Sequence, residues 1–501
     1  MKRIRREPAP ALPLVVLLSS EAVPFSKTGG LADVAGALPI ALRKAGFDVV
    51  LVTPRYGSVD PAKFRLAKRL KPMSVPLGAK SYDVDTFEGK VGDARVFLID
   101  YPPAFAREGL YRDASGDFAD NAFRFALFSR SLFELCLTFD LRPAILHAND
   151  WQAALALYYL KREFAAHPLF ASTRGVFTIH NLAYQGLFPP AVLEELGVGW
   201  DLFKPEGIEF WGKVNFLKAG VLFADAVTTV SERYAAEIQT KEFGCGLEGL
   251  LQARAGVLSG IVNGIDADVW NPRTDKLIPA TYSEVSMTGK GKCKLALQGE
   301  LGLARDPDVP LIGMISRLAD QKGFDLVEAA ADWMMAEGVQ VAVLGTGEAV
   351  HEAAARALAA RYPGRFSATI GFNDGLAHRI EAGTDMFMMP SRYEPCGLNQ
   401  LYSLRYGTVP IVRATGGLDD TVDDVDELGR SGTGFKFHDA TGEALLGAVQ
   451  RAVRAYSDAA VWRGIVRRGM ARDFTWGTSA ERYARLYRGL MADALAARVA
   501  G

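Results

Sequence analysis

Residues 12–36 read LPLVVLLSSEAVPFSKTGGLADVAG. An apolar run ends at Ser19 and Ser20, a polar loop carries Lys27, Gly29 and Gly30, and a helical pattern follows at once through Leu31, Val34, Ala35, Leu38 and Leu42. Strand, glycine loop and helix in that order form the repeating unit of a doubly wound α/β sheet. Gly29 and Gly30 can turn backbone N–H groups toward an anion at the helix start, with Lys27 as a mobile charge. The plainer reading, a turn pair beside a surface lysine, stays open on this segment alone. The spacing matches neither a P-loop nor a dinucleotide fingerprint. Pro39 within the pattern predicts a kink or a split in the helix.

The same alternation runs through the chain. Buried-strand runs occur at 48–54, 94–101, 144–147, 175–180 and 226–231, then at 309–316, 339–345, 366–372, 385–391 and 408–415. Continuous apolar strands separated by helical patterns predict parallel sheets covered on both faces. The polar, turn-rich stretch 271–294 reads as a connection, and 479–500 as an amphipathic helix with no strand after it. The expected organisation is two Rossmann-like domains, residues 1–262 and 263–478, with the helix 479–501 packing back on the first. Ligands of such sheets bind beyond the strands' carboxyl ends, so the site is expected in a cleft between the two domains.

Composition narrows the function classes. Of 501 residues, 49% are hydrophobic and 23% charged, as in globular chains, and a net charge of −1 offers no global field for nucleic acid or an anionic membrane. The basic cluster AKRLK (67–71) reads as a solvated face. Four scattered cysteines form no CxxC pair and fit a reducing compartment; six histidines make no metal-binding pattern. The start MKRIRREPAPALPLVVLLSSEA resembles a signal peptide, but cleavage there would remove the strand before the lysine–glycine loop. The first-strand reading is preferred, and with it a cytoplasmic protein. No apolar run approaches the roughly 20 residues of a membrane span.

Polar residues of chemical interest follow strands repeatedly. In GMISRLADQKGFD (313–325) a strand is expected to end at Ser316, with Arg317 and Lys322 flanking a short loop suited to a diphosphate. In MMPSRYEPCGLNQLYSLRYG (388–407) a strand runs into Glu394, Cys396 and Gly397, and a helix begins near Leu398. A carboxylate beside helix-start N–H groups can grip sugar hydroxyls while those amides face an anion. VFTIHNLAYQG (176–186) sets His180 after a strand, with Asn181, Tyr184 and Gln185 as a carbohydrate-type cluster, and ILHANDWQ (145–152) repeats the design with His147, Asp150 and Trp151. The DVD triplets at 83–85 and 424–426 read as solvated loops rather than cation sites.

The ordered blocks KTGGLADVAGALP, HANDWQ, FTIHNLAYQG, NFLKAG, LSGIVNGID, SRLADQKG, LGTGE, AHRI, PSRYEPCGLNQLYSLRYGTVPIVRATGGLDDTV and FTW, spread over nearly the whole chain, closely resemble the bacterial glycogen synthases and plant starch synthases, retaining glucosyltransferases of the GT-B fold. The resemblance implies transfer of glucose from ADP-glucose to the non-reducing 4-hydroxyl of glycogen or another α-1,4-glucan, without metal or other cofactor. It implies that Lys27 and the Gly30 N–H meet the donor diphosphate, that Arg317 and Lys322 clamp it, and that Asn263 binds a glucose hydroxyl. Glu394 would grip the glucose 3- and 4-hydroxyls, with the N–H groups of Cys396, Gly397 and Leu398 alongside. His180 would face the transferred glucose, and Asp33, Asp150 and Tyr184 the sugar and acceptor side. Phe372 stands where a tyrosine usually stacks on adenine, and Asn399 where a phosphate-facing threonine is common. A UDP-glucose-preferring synthase and a non-catalytic glucan-binding protein are the alternatives carried. A homo-oligomer is compatible with all three.

Overall fold

The computed structural model describes residues 12–500; the basic start weighed as part of a signal peptide lies outside them. The chain divides into two compact units, each built on its own sheet.

The first unit runs through Thr229, resumes over Ile238–Ile261 and again from Trp476 onward. Its sheet contains β1 (Leu14–Leu18), β2 (Asp48–Pro54), β3 (Ala67–Lys68), β4 (Met73–Leu77), β5 (Lys80–Val91), β6 (Ala94–Asp100), β7 (Ile145–Asn149), β8 (Arg174–Ile179), β9 (Ala226–Thr229) and β10 (Leu258–Gly260), in the order β10-β9-β8-β7-β1-β2-β6-β5-β3, with β4 on β5. Strands β10 through β6 in that order are parallel. The chain builds outward from β1 through β2 to β6, then returns to lay β7 on the other side of β1. That reversal between β1 and β7 is the topological switch point, where a crevice opens at the strand ends.

Strands β3 to β5, absent from the sequence reading, extend the sheet antiparallel beyond β6. This corrects the first DVD triplet: Asp83–Asp85 lies in β5, where Lys68 Nζ sits 2.6 Å from Asp85 Oδ2, and not in a solvated loop. The alternating polar pattern of a half-exposed strand disguised it. Helix α1 (Gly30–Lys44) passes through Pro39 without being split. Burial of Leu31, Val34, Ala35, Leu38 and Leu42 outweighs the proline's cost of about 3 kcal/mol. The C-terminal helix, Trp476–Ala500, packs on α1 and sends Tyr487 OH to within 2.7 Å of His147 Nδ1.

The second unit comprises Val230–Glu237 and Val262–Thr475. A single boundary at 262 therefore gives way to an exchange of segments: helix α2 (Glu232–Glu237) belongs to the second unit although both of its chain neighbours belong to the first. The sheet holds β11 (Leu311–Leu318), β12 (Gln340–Gly347), β13 (Phe366–Ile370), β14 (Met386–Met389), β15 (Val409–Arg413) and β16 (Phe435–Phe437) in the order β13-β12-β11-β14-β15-β16, all parallel. One apolar layer gathers around Phe324, Met334 and Ile411, the other around Leu344, Phe387 and Leu418. The switch point falls between β11 and β14. Helices α3 (Asn399–Tyr406) and α4 (Gly416–Thr421) follow β14 and β15. β11 continues two residues past Ser316, so Arg317 is strand rather than loop, and the stretch expected as a connection is already helical from Thr288.

Candidate active site

Both switch points gather the polar residues marked by the sequence. In the first unit, β1 leads to Glu21, whose carboxylate accepts hydrogen bonds from the Thr28 N–H, the Thr28 hydroxyl (3.0 and 3.1 Å) and the Gly29 N–H. Glu21 is only 4% exposed, and burial raises its pKa above the usual carboxylate range. This residue was missed, and it amends the reading of the glycine pair. Gly29 already serves an internal anion, whereas Gly30, the first residue of α1, has no intrahelical acceptor for its N–H. Lys27 is half exposed and held 2.7 Å from Asp33 Oδ1.

Next to it, β7 ends at Asn149 and the chain turns at Asp150 with φ of 55°. Asp150 Oδ1 accepts the His180 N–H at 2.7 Å, and the carboxylate also accepts the Asn181 N–H. Burial, reinforced by the charge of Glu21, lifts the Asp150 pKa to about 7 against those two hydrogen bonds. His180 is pushed down to about 3 by burial and is neutral at physiological pH. Its Nε2 lies 2.9 Å from Asn149 Oδ1, and the Asn149 amide nitrogen donates to Leu18 O at 3.1 Å. That orientation makes Nε2 the donor and leaves Nδ1 as an acceptor. His147 does not join the group: it is fully buried between Tyr487 and Thr178 Oγ1 (2.5 Å) and is structural. Tyr184 is 52% exposed on the same stretch as His180.

The Asp150 shift gives a sign-definite prediction. A carboxyl with pKa near 4 unfolded and about 7 folded favours the native state at low pH, and that stabilisation is lost as pH rises through this window. Asp150→Asn should melt higher than wild type at about pH 8, with the difference shrinking toward about pH 4. A pH-independent difference in melting temperature would instead reflect relief of the left-handed backbone, which asparagine tolerates.

In the second unit, Arg317 stands near the end of β11 and donates to Gln321 Oε1 at 3.0 Å. The turn Asp320–Lys322 places Lys322 Nζ 2.5 Å from Glu394 Oε2, which also accepts from Ser391 Oγ at 3.0 Å. Glu394 is 6% exposed, fixed at the loop between β14 and α3. Cys396, Gly397 (φ 71°) and Leu398 lead into α3, and burial pushes the Cys396 thiol up to about 12, so it is a packed neutral group. The Asn263 N–H is directed at this thiol, while Asn263 Oδ1 is buried without a hydrogen-bond partner. An orphaned buried acceptor beside a carboxylate and helix-start amides is a ready contact for a hydroxyl. Asn399 Nδ2 donates to Ile315 O at 2.7 Å, which brackets α3 to β11. Phe372, just past β13, is 87% exposed, an aromatic surface open to stacking.

Within each unit the expected residues thus converge: Lys27, Gly30, Asp33, Asp150 and His180 in one, Asn263, Arg317, Lys322, Glu394 and Cys396 in the other. Asp320, Glu348 and His351 form the one grouping among the described residues whose ligand atoms could hold a metal ion, and there the imidazole Nε2 is already 3.0 Å from Asp320 Oδ1. No helix among the described residues is long and apolar enough to cross a membrane.

Comparison with known proteins gives these sites a context. Residues 14–253 match the starch synthase catalytic domain family, and residues 302–463 the glycosyl transferases group 1 family. The chain is 51% identical over 477 residues to a glycogen synthase of Anaeromyxobacter dehalogenans, covering 95% of this chain and 99% of that protein. With a glycogen synthase of Koribacter versatilis it shares 47% over 474 residues, 94% and 97% of the two chains. Its structure matches the catalytic domain of starch synthase IV from Arabidopsis thaliana bound to ADP and acarbose with a TM-score of 0.88 and 32% identity, over 96% of this chain and all of that one. A sucrose-phosphate synthase from Thermosynechococcus elongatus shares the fold, with a TM-score of 0.59 at 18% identity. Two Rossmann-like units, a cluster of polar residues at each switch point and half of all residues in common with enzymes of one kind lead to one conclusion: the chain belongs to the glycogen synthase family and is a GT-B glucosyltransferase.

Proposed function

We propose that this enzyme transfers glucose from ADP-glucose to the non-reducing 4-hydroxyl of an α-1,4-glucan with retention of configuration. The observation that carries the reading is the Lys322–Glu394 pair at the β11/β14 switch point, with Arg317 on the adjoining strand end and the Asn263 acceptor left without a partner. Arg317 and Lys322 take the diphosphate, Phe372 stacks on the base, and Glu394 with Asn263 holds glucose hydroxyls. Lys27 and the Gly30 N–H add positive potential at the phosphates, and neutral His180 accepts a hydroxyl of the transferred glucose. Asp33, Asp150 and Tyr184 serve the acceptor side.

As the C1–O bond to the diphosphate breaks, negative charge grows on the leaving oxygens, and fixed cations there stabilise the transition state most. The carboxylates of the site are poor nucleophiles. Glu394 is paired with Lys322 and Ser391, Glu21 with Thr28, Asp33 with Lys27, and Asp150 accepts the His180 N–H while burial lifts its pKa to about 7. The reading is therefore a front-face displacement. The acceptor oxygen bonds to C1 on the face the diphosphate leaves, and the acceptor proton passes to a diphosphate oxygen. No metal takes part in this scheme. Cytoplasmic residence belongs to the same reading and is supported by the free state of all four cysteines.

The test compares ADP-glucose with UDP-glucose as donors to glycogen. A kcat/KM higher by an order of magnitude or more for ADP-glucose is expected. Equal values would remove the base preference, and a glycosyl adduct trapped on Glu21, Asp150 or Glu394 would overturn the front-face route.

A further inference from the structure

We infer that Glu237, far from Glu394 in sequence, is a positioning residue for the donor site; this rests on the function proposed above. Helices α2 and α4 cap each other. Asp420 Oδ2 near the end of α4 accepts the Glu232 and Arg233 N–H groups at the start of α2, at 2.6 and 3.0 Å. Glu237 at the end of α2 accepts the Thr415 hydroxyl and the Gly416 N–H at the start of α4, at 3.1 to 3.3 Å. Each helix lends its terminal carboxylate to the other's unsatisfied N–H groups, which its own turns cannot serve. Glu237 is 5% exposed and braced by Arg233 Nε at 3.0 Å.

The far side of Gly416 and Gly417 lies against the sugar-binding loop. The Gly417 N–H donates to Glu394 O at 3.0 Å, and a Cβ on Gly416 would stand 2.0 Å from that same oxygen. The backbone that carries Glu394, Cys396 and Gly397 therefore rests on two residues whose place is set by the Glu237 carboxylate. The buried Glu237 carboxylate thus sets where Glu394 and the Cys396–Gly397 amides stand.

Glu237→Ala leaves the Gly416 N–H without its acceptor, whereas Glu237→Gln keeps one acceptor oxygen. The full-length alanine variant should show a KM for ADP-glucose raised on the order of tenfold, an unchanged KM for glycogen, and a correspondingly larger Kd for ADP by calorimetry. The glutamine variant should restore most of the donor affinity. A lower melting temperature with wild-type donor KM and ADP Kd would overturn the inference, because a merely structural role moves stability alone. Thr415→Val, which removes only the hydroxyl donor, carries the same test if the alanine variant does not fold; wild-type donor parameters there would likewise count against it. Glu394→Ala in the same assay separates the two levels. If it too leaves donor parameters unchanged, the site assignment fails; if it impairs them and Glu237→Ala does not, only the positioning role fails.

Discussion

Lys322→Ala is expected to lower kcat on the order of 100-fold or more, with a much smaller change in the KM for glycogen. Two losses combine. The leaving diphosphate loses a point charge held at the switch point, where it acts without reorganisation during bond breaking. The carboxylate of Glu394, 6% exposed, loses its cation and keeps only Ser391, so an unneutralised charge stands beside an anionic donor. Lys322→Arg should recover only part of the rate, since a planar guanidinium does not occupy the ammonium's position 2.5 Å from Oε2. Initial rates at saturating glycogen, with melting curves to confirm folding, decide the matter. A wild-type kcat for the alanine variant would remove Lys322 from the machinery.

Gly417→Ala should nearly abolish activity for a different reason. A Cβ at this position would lie 2.0 Å from Cys396 O and 2.5 Å from Cys396 Cα, both backbone atoms that no rotamer change can move. The loop must shift, and displacements of about 1 Å at a catalytic constellation can cost on the order of 100-fold. Stability should fall as well, because the Gly417 N–H bond to Glu394 O is strained at the same time. The expected signature is a collapse of kcat/KM for ADP-glucose, larger than for Glu237→Ala, which leaves these backbone contacts sterically intact. A near-native kcat/KM would show that the loop does not need this close approach.

The strand–loop–helix rhythm was legible because parallel sheets bury both faces, so their strands appear as unbroken apolar runs. Polar residues placed just after those runs, among them Lys27, His180, Arg317 and Glu394, then marked the switch points. What escaped was physical in each case. β5 alternates polar and apolar residues and so resembled a loop with an acidic triplet. Glu21 stands seven positions before the Thr28 whose N–H it accepts, and no local periodicity links them. Glu237 is one more acid in the charged run SERYAAE until the fold brings Gly416, 179 positions later, against it. Pro39 does not split α1, because its local penalty is outweighed by tertiary burial that the sequence does not display.

The exchange of segments bears on how the protein is made. The chain passes between the two units at Thr229, Glu237, Ile261 and Thr475 before it ends. When a ribosome has finished residue 261, the first unit still lacks its last helix, and Tyr487, which lies 340 positions after its partner His147, has yet to be made. The second unit, for its part, needs a carboxylate synthesised long before its own sheet. The first unit is complete only once the helix from Trp476 has been made, and the second only once Thr475 has. A copy ending before Trp476 would lack the helix that packs on α1 and would leave the buried His147 imidazole without its phenol partner.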